Sequence, residues 1–135
     1  MIDKSFRLRK SERLCSETSI SELFKDNNSF FVYPFRVVWR ESAQKRDYPV
    51  QIAISVGKKR IRRAVKRNFL KRRIKEAYRL NKNIIYDSIG DKSIDMMFIY
   101  MTSEIKEFSD LEPAVVKVLH KLKSEVLGSS ENENE

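Results

Sequence analysis

The chain has 135 residues, enough for one domain with a modest core, and its 28 Lys and Arg against 19 Asp and Glu give a formal net charge of +9. Its longest apolar run, Met96–Met101, is too short to cross a bilayer, and its first residues, Met1–Lys4, lack the apolar stretch of a secretion signal. A single cysteine, Cys15, excludes an internal disulfide and a cysteine-based zinc cage, so the composition predicts a small basic protein of the cytoplasm with no membrane contact.

The N-terminal part of the sequence predicts one helix followed by two strands. Ser19–Glu22 has the spacing of a capping box, so a short helix is expected from there to Asn27–Asn28. Aromatic and β-branched residues at positions 30–40 favour a strand, in which Pro34 indicates an edge or a bulge. Alternating apolar residues at Val50–Val56 predict a second, half-buried strand, and the two strands are expected to form a hairpin.

The positive charge of the chain is concentrated in the next segment. Residues 58–79 include twelve Lys or Arg and one acid, Glu76, whereas the remainder of the chain carries a net charge of −2. A solvated charged helix usually mixes both signs at a spacing of i, i+4. The scarcity of acids therefore favours a polyanion, most commonly a nucleic acid, as the partner of this segment.

From Ala64 this basic segment has the pattern of a helix with two different faces. The apolar positions recur at i, i+4, i+7 and i+8: Leu70, Ile74, Ala77 and Tyr78. The opposite side carries polar and basic residues: Asn68, Lys71, Arg72, Lys75 and Arg79. At about 100° per residue these five positions fall within roughly 100° of one another. The helix is thus predicted to bury one face and to present the other to a polyanion.

The C-terminal part predicts a connection, a strand and a long helix. Positions 81–93 are polar and contain Gly90, which indicates a connection with one helical turn at most. Ile94–Met101 is predicted as a buried strand. A capping box at Ser109–Glu112, with proline in the first turn, then begins an amphipathic helix that is expected to end at Gly128.

The predicted order is helix, strand, strand, helix, strand, helix, which indicates an α+β fold with helices packed on a small mixed β-sheet. Residues 1–127 are expected to form a single RNA-binding domain, and residues 128–135 a flexible acidic tail. If the strands at 50–56 and 94–101 are parallel neighbours, the general rule predicts a right-handed crossover through the basic helix.

No convincing active site is found in the sequence. The only histidine, His120, lies beside the apolar stripe of the last helix and has no evident acid–base partner. Asp87, Asp91 and Asp95 are spaced at i, i+4 and i+8, but the intervening glycine and the following strand indicate a turn with solvated acids. Cys15 lacks a nearby histidine. The sequence therefore predicts neither a catalytic residue nor a metal site in this chain.

Residues 54–79 resemble the signature of the bacterial ribonuclease P protein family. The strand ends in Lys58-Lys59, the helix opens with Ala64-Val-Lys-Arg-Asn68 and continues to Lys71-Arg72, and the segment closes with Lys75-Glu-Ala-Tyr-Arg79. Phe6–Leu14 resembles the opening of the same family, so the resemblance covers about residues 4–127. It implies a fold like the second domain of ribosomal protein S5, with an unusual left-handed β-α-β crossover at the basic helix.

The resemblance also implies an endoribonuclease whose catalyst is not the protein. An RNA subunit removes the 5′ leader of precursor tRNA with bound Mg²⁺, and the small protein binds both RNAs without requiring a protein partner. The implied RNA-binding residues are Lys58, Lys59, Arg60, Arg62, Arg63, Lys66, Arg67, Asn68, Lys71, Arg72, Lys75 and Arg79. The implied leader-binding residues, in a groove between the first helix and the sheet, are Phe24, Phe6 and Arg13.

Three positions depart from the family pattern. Phe69 replaces the second arginine of the motif, Ile20 replaces a leader-stacking aromatic residue, and Val38 occupies a strand position that is sometimes aromatic. Two other functions are considered from the residues alone. A structural RNA-binding protein, for example one bound to ribosomal RNA, would share the charge pattern, whereas a stand-alone nuclease would need an active site that the sequence does not display.

Overall fold

The computed structural model describes residues 28–42, 50–89 and 92–132. In these residues the chain forms β1 (Asn28–Val32), β2 (Phe35–Ser42), β3 (Val50–Ser55), α1 (Ala64–Asn81), α2 (Asn83–Tyr86), β4 (Ser93–Tyr100) and α3 (Phe108–Asn132). The predicted α+β class is confirmed. The helix predicted from Ser19 lies outside the described residues. None of the helices in the described part of the chain is long and apolar enough to cross a membrane.

The four strands form one mixed sheet in the order β1-β2-β4-β3. β2 pairs antiparallel with both β1 and β4, whereas β3 pairs parallel with β4, with Ile54 opposite Phe98. The register places Phe35, the first residue of β2, opposite Tyr100, the last residue of β4. The β1–β2 turn and the carboxyl ends of β3 and β4 therefore lie at the same end of the sheet. β3, α1 and β4 form the expected parallel β-α-β unit; the handedness of its crossover stays a prediction.

The strand predicted at positions 30–40 is in fact two strands. Tyr33 and Pro34 form a turn, joined by a cis peptide bond, and the flanking strands β1 and β2 pair with Phe31 opposite Arg36. The predicted hairpin between β2 and β3 is wrong, because β4 lies between them. The side chains of β4 are buried on both faces of the sheet, except for the half-buried Ile99. A strand that is apolar on both faces is buried best in the middle of a sheet, between two other strands.

The core lies between one face of the sheet and the helices. The predicted apolar face of α1 is confirmed, since Leu70, Ile74, Ala77 and Tyr78 are all buried. The predicted apolar stripe of α3 is buried as well: Leu111, Val115, Val118, Leu119, Leu122 and Val126. Phe98 of β4 joins these layers, because its ring meets the edge of Phe35 at 5.4 Å between centroids and that of Tyr78 at 6.3 Å.

Both ends of α3 differ from the prediction. The carbonyl of Glu107 accepts the amide N–H groups of Asp110 (2.9 Å) and Leu111 (3.0 Å), so the helix begins before Ser109. Glu112 accepts a hydrogen bond from Asn81 of α1 at 3.2 Å. The helix also continues past Gly128 to Asn132, since a glycine inside a helix costs only about 1 kcal/mol relative to alanine. Residues 128–132 of the predicted flexible tail are therefore helical.

The connection between α1 and β4 contains the expected helical turn, α2. Ile85 and Tyr86 of α2 are buried, as is the following Ile89, and Ile84 is half-buried against the core. Lys82, between α1 and α2, is only 1% exposed, and its Nζ lies 5.3 Å from the centroid of the Tyr86 ring. This segment is thus part of the core, although its composition is polar.

Candidate nucleic-acid interface

The predicted RNA-binding residues lie on one stretch of the fold, which consists of the loop 57–63 and the face of α1 that points away from the core. We call this stretch the basic surface. Eight of the predicted residues are exposed: Lys58, Lys59, Arg60, Arg62, Arg63, Lys66, Asn68 and Arg72. Four are half-buried: Arg67, Lys71, Lys75 and Arg79. Because the opposite face of α1 is buried in the core, the fold fixes the direction in which the basic face of the helix points.

The loop that leads into α1 is held by hydrogen bonds to its own backbone. The carbonyl of Gly57 accepts the N–H groups of Arg60 (3.3 Å) and Ile61 (3.1 Å). Arg67 donates from Nη1 to the carbonyl oxygens of Ile61 (3.0 Å) and Arg62 (2.7 Å). A guanidinium has five N–H donors. Arg67 can therefore hold this loop with one nitrogen and offer the others to a phosphate.

Replacing Arg67 by lysine is expected to loosen this loop, because an ammonium on a flexible stem does not hold its N–H groups at the two carbonyls as the planar guanidinium does. We expect about 1 kcal/mol of stability to be lost locally, and the Ile61 amide to exchange about five- to tenfold faster. Hydrogen exchange measures this effect. Arg72→Lys, a matched change on the exposed face of the same helix, should leave the exchange rate unchanged. Equal exchange rates in the two variants would contradict the loop-holding role.

Arg79 and Glu76 form an ion pair on α1. Arg79 donates from Nε to one carboxylate oxygen of Glu76 at 3.2 Å and from Nη2 to the other at 2.6 Å. This contact lowers the pKa of Glu76, which stays ionised at neutral pH. Glu76 is the only acid of α1, and its charge is directed at the last arginine of the predicted set. The RNA contact of Arg79 stays a prediction.

Phe69 occupies the position at which the resemblance implies an arginine. Its ring is half-buried against the core, and the guanidinium carbon of Arg73 lies 4.9 Å above the ring centroid. The two residues, with Arg72 and Glu76, line a cleft of about 310 Å³. The guanidinium is attracted to the face of the ring, and this cation–π contact stabilises its position at the surface. Arg73, one helical turn after Phe69, thus places a positive charge over the residue that replaces the motif arginine.

The predicted leader-binding residues Phe6, Arg13 and Phe24 lie outside the described residues, as does Ile20. The groove that the resemblance implies would use the sheet face opposite the core, on which Val38 and Met97 are buried and Ala53 and Ile99 pack against them. Trp39 points to the other face and belongs to the core. This orientation follows from the alternation of side chains along a regular strand.

The structure adds two residues that the sequence had not indicated. Ser103 and Ile105 belong to the loop 101–107 after β4, and they lie beside cationic residues of the loop 57–63 and of α1. They border a cleft of about 300 Å³, which we call the loop cleft. A serine and an isoleucine in a short polar loop give no sequence signal for such a position, because the approach of the two loops depends on the pairing of β3 with β4.

The candidate catalytic residues are dispersed. His120 is exposed on α3, Asp87 is exposed at the end of α2, and Asp95 is buried in β4 at 3.5 Å from Nε of Arg40. Cys15 and Asp91 lie outside the described residues. Among the residues that the structure describes, no three His, Cys, Asp or Glu side chains are grouped as metal ligands.

Comparisons with known proteins identify the family of the chain. A family model described as Ribonuclease P matches residues 8–123. The Ribonuclease P protein component of Porphyromonas gingivalis is 39% identical over 128 residues, which cover 93% of each chain. The RNase P protein of Thermotoga maritima has a TM-score of 0.66 and 27% identity, over 82% of this chain and 96% of that one. A Staphylococcus aureus RNase P protein mutant described as defective in mRNA degradation has a TM-score of 0.71 at 23% identity, over 84% of this chain and 90% of that one, and shares the fold. The chain therefore belongs to the ribonuclease P protein family.

Proposed function

We propose that this chain is the protein subunit of a ribonucleoprotein ribonuclease P, which binds a catalytic RNA subunit and the 5′ leader of precursor tRNA. The observation that carries the proposal is the division of α1 into two faces. Four apolar residues of the helix are buried in the core, whereas the rest of it carries seven Lys and Arg residues and a single acid, Glu76, which Arg79 pairs. A helix held in this way presents its cations at fixed positions, so little conformational entropy is lost when RNA binds.

The basic surface supplies the electrostatic part of this binding. Lysine and arginine side chains replace the counterions of the phosphate backbone, and the release of those counterions favours association. Lys71, Arg72 and Lys75 follow one another around the exposed side of α1, and the exposed cations of the loop 57–63 extend the surface beyond the start of the helix. Arg73, held over Phe69, supplies a guanidinium where the motif arginine is missing.

In this proposal the chain positions RNA and does not cleave it. Hydrolysis of a phosphodiester needs either a placed acid–base pair or bound metal ions. The described residues hold neither a grouped set of metal ligands nor a partner for the exposed His120. The Mg²⁺ ions of the reaction are accordingly assigned to the RNA subunit, where they would stabilise the charge that develops on the phosphodiester. We assign no Mg²⁺-dependent step to the residues of this chain.

We assign leader binding to the predicted residues Phe6, Arg13 and Phe24, in the groove that the resemblance implies between the first helix and the sheet. Aromatic rings and cations together can hold a single strand, since bases stack on the rings while the cations bind the phosphates. Because bacteria transcribe their tRNA precursors in the cytoplasm and the resemblance is to a bacterial family, we place the complex there.

The test is cleavage of precursor tRNA at low Mg²⁺ by this chain alone, by a ribonuclease P RNA alone and by the mixture. We expect efficient release of the 5′ leader from the mixture only, because the protein raises the affinity for the substrate at metal concentrations that do not sustain the RNA. If the chain adds nothing to the RNA, a structural RNA-binding protein replaces this proposal. Cleavage by the chain alone would instead identify a stand-alone nuclease.

A further inference from the structure

The loop cleft has one wall on the basic surface and the other on a segment outside the basic sequence. One wall is formed by the loop 57–63 and the first turn of α1, and it carries four cationic side chains: Arg60, Arg62, Arg63 and Lys66. The other wall is the loop 101–107, which contributes Ser103 and Ile105. The volume of about 300 Å³ is at the lower limit for sites that hold small ligands.

The two walls meet because of the sheet topology. β3 and β4 are parallel neighbours, so their carboxyl ends lie at the same end of the sheet and the loops that follow them leave side by side. In open sheets with parallel strands, ligands bind preferentially outside these carboxyl ends.

Both walls are held in place before any ligand binds. Tyr100 donates its hydroxyl hydrogen to the carbonyl of Glu104 at 2.5 Å and accepts the N–H of Lys106 at 3.2 Å. The N–H of Met101 donates to the carbonyl of Pro34 at 2.8 Å, which ties the loop to the β1–β2 turn. On the opposite side, Arg67 holds the carbonyls of Ile61 and Arg62. A cleft with such fixed walls loses little entropy on binding.

The charge in the cleft is positive. None of its four cations is ion-paired within the part of the chain that the structure describes. The loop 101–107 carries two acids: Glu104 is paired with Lys106 at 2.9 Å, and Glu107 is exposed but does not line the cleft. Ile105, in contrast, exposes 45% of its surface at the edge of the cleft. The cleft thus combines anion-binding groups with an apolar contact and a hydroxyl.

We propose that the loop cleft binds one nucleotide of an RNA strand, with its phosphate on the arginines, its ribose at the Ser103 hydroxyl and its base against Ile105. This inference rests on the proposed function and adds the loop 101–107 to the RNA interface. RNA fits the combination better than an acidic peptide, because a nucleotide offers an anion, a ribose hydroxyl and an apolar base face within one small unit. The strand can come from the RNA subunit or from precursor tRNA.

The first experiment introduces a negative charge into the cleft without altering any cation. Ser103→Glu is compared with Ser124→Glu, an equal change at an exposed position of α3. The affinity of each protein for the RNA subunit, and of each assembled holoenzyme for precursor tRNA, is measured at several salt concentrations. We expect Ser103→Glu to weaken one of the two by about tenfold and to flatten its salt slope by about one unit. Ser124→Glu should change both by less than about twofold.

The identity of the weakened interaction distinguishes the two sources of the strand. A loss in RNA-subunit affinity places the nucleotide in that subunit, whereas a loss in substrate affinity places it in precursor tRNA. Equal behaviour of the two glutamate variants overturns the inference. If the unchanged protein stimulates cleavage while the two variants stay alike, only the inference has failed. If the unchanged protein adds nothing to cleavage, the proposed function has failed as well.

A second variant tests the apolar contact and does not depend on charge. Ile105→Ala should weaken the same interaction about three- to tenfold, with an unchanged salt slope, because a base contact releases no counterions. Equal urea midpoints for the unchanged protein and for all three variants would show that folding is intact. An Ile105→Ala protein with full affinity for both RNAs would remove the base from the proposal and overturn it in the form stated here.

Discussion

Replacing Lys71, Arg72 and Lys75 together by alanine is expected to weaken binding to the RNA subunit by about two to three orders of magnitude at physiological salt. The slope of log affinity against log salt should flatten by about two to three units, because each lost phosphate contact leaves about one counterion unreleased. The three side chains lie on the side of α1 opposite the buried Leu70 and Ile74. Filter binding over a range of salt concentrations measures both effects.

The matched control removes three positive charges from another helix. Lys117, Lys121 and Lys123 lie on α3, outside the basic surface, and their joint replacement by alanine changes the net charge by the same amount. We expect a loss of less than about fivefold, since charges outside the interface are largely screened. Similar losses in the two triple variants would show that net charge alone drives binding, and would contradict an oriented interface.

The largest effect on stability is expected at Phe98. Its side chain is fully buried and contacts Phe35 on the neighbouring strand and Tyr78 on α1. Phe98→Ala should lower the free energy of unfolding by about 3–5 kcal/mol, because it loses both the burial of the ring and the edge contacts and leaves a cavity. Small domains are stable by only about 5–15 kcal/mol, so much of the stability would be lost. Urea unfolding measures the change.

Phe31→Ala is the control for this substitution. Phe31 is on β1 with 54% of its surface exposed, and its truncation should cost about 0.5 kcal/mol or less. The Phe98 variant should also bind RNA more weakly in proportion to its unfolded fraction, and recover when a stabilising osmolyte refolds it. A loss of less than about 1 kcal/mol for Phe98→Ala would mean that β4 is not the centre of the core.

The helices could be predicted from the sequence because their signals are local. The periodicity of Leu70, Ile74, Ala77 and Tyr78 identifies the buried face of α1 over about two turns, and the basic residues identify the opposite face without any knowledge of the sheet. The same holds for α3, whose apolar stripe was correct along its length while both ends were misplaced. Ends depend on single hydrogen bonds, such as those to the Glu107 carbonyl, which have no periodic signal.

The sheet could not be predicted in the same way. The run from Phe30 to Arg40 is uniformly rich in strand-forming residues, so the turn at Tyr33–Pro34 is concealed within it. The pairing of β2 with β4 joins residues more than fifty positions apart and depends on which strand is apolar on both faces. The loop cleft is a product of that pairing, which explains why Ser103 and Ile105 gave no signal, and the backbone contacts of Arg67 depend on the same three-dimensional approach.

The buried face and the basic face of α1 belong to the same helix, so the spacing of their residues fixes how the two faces are oriented. This limits the insertions and deletions that the chain tolerates. A single residue inserted between Asn68 and Leu70 would turn all that follows by about 100° relative to what precedes it. Either Leu70 and Ile74 would leave the core, or Arg67 and Asn68 would leave the RNA side; no compensating substitution at one position restores both. Insertions and deletions in relatives should therefore accumulate in the connections between elements, and α1 should keep a constant length even where its sequence has changed almost completely.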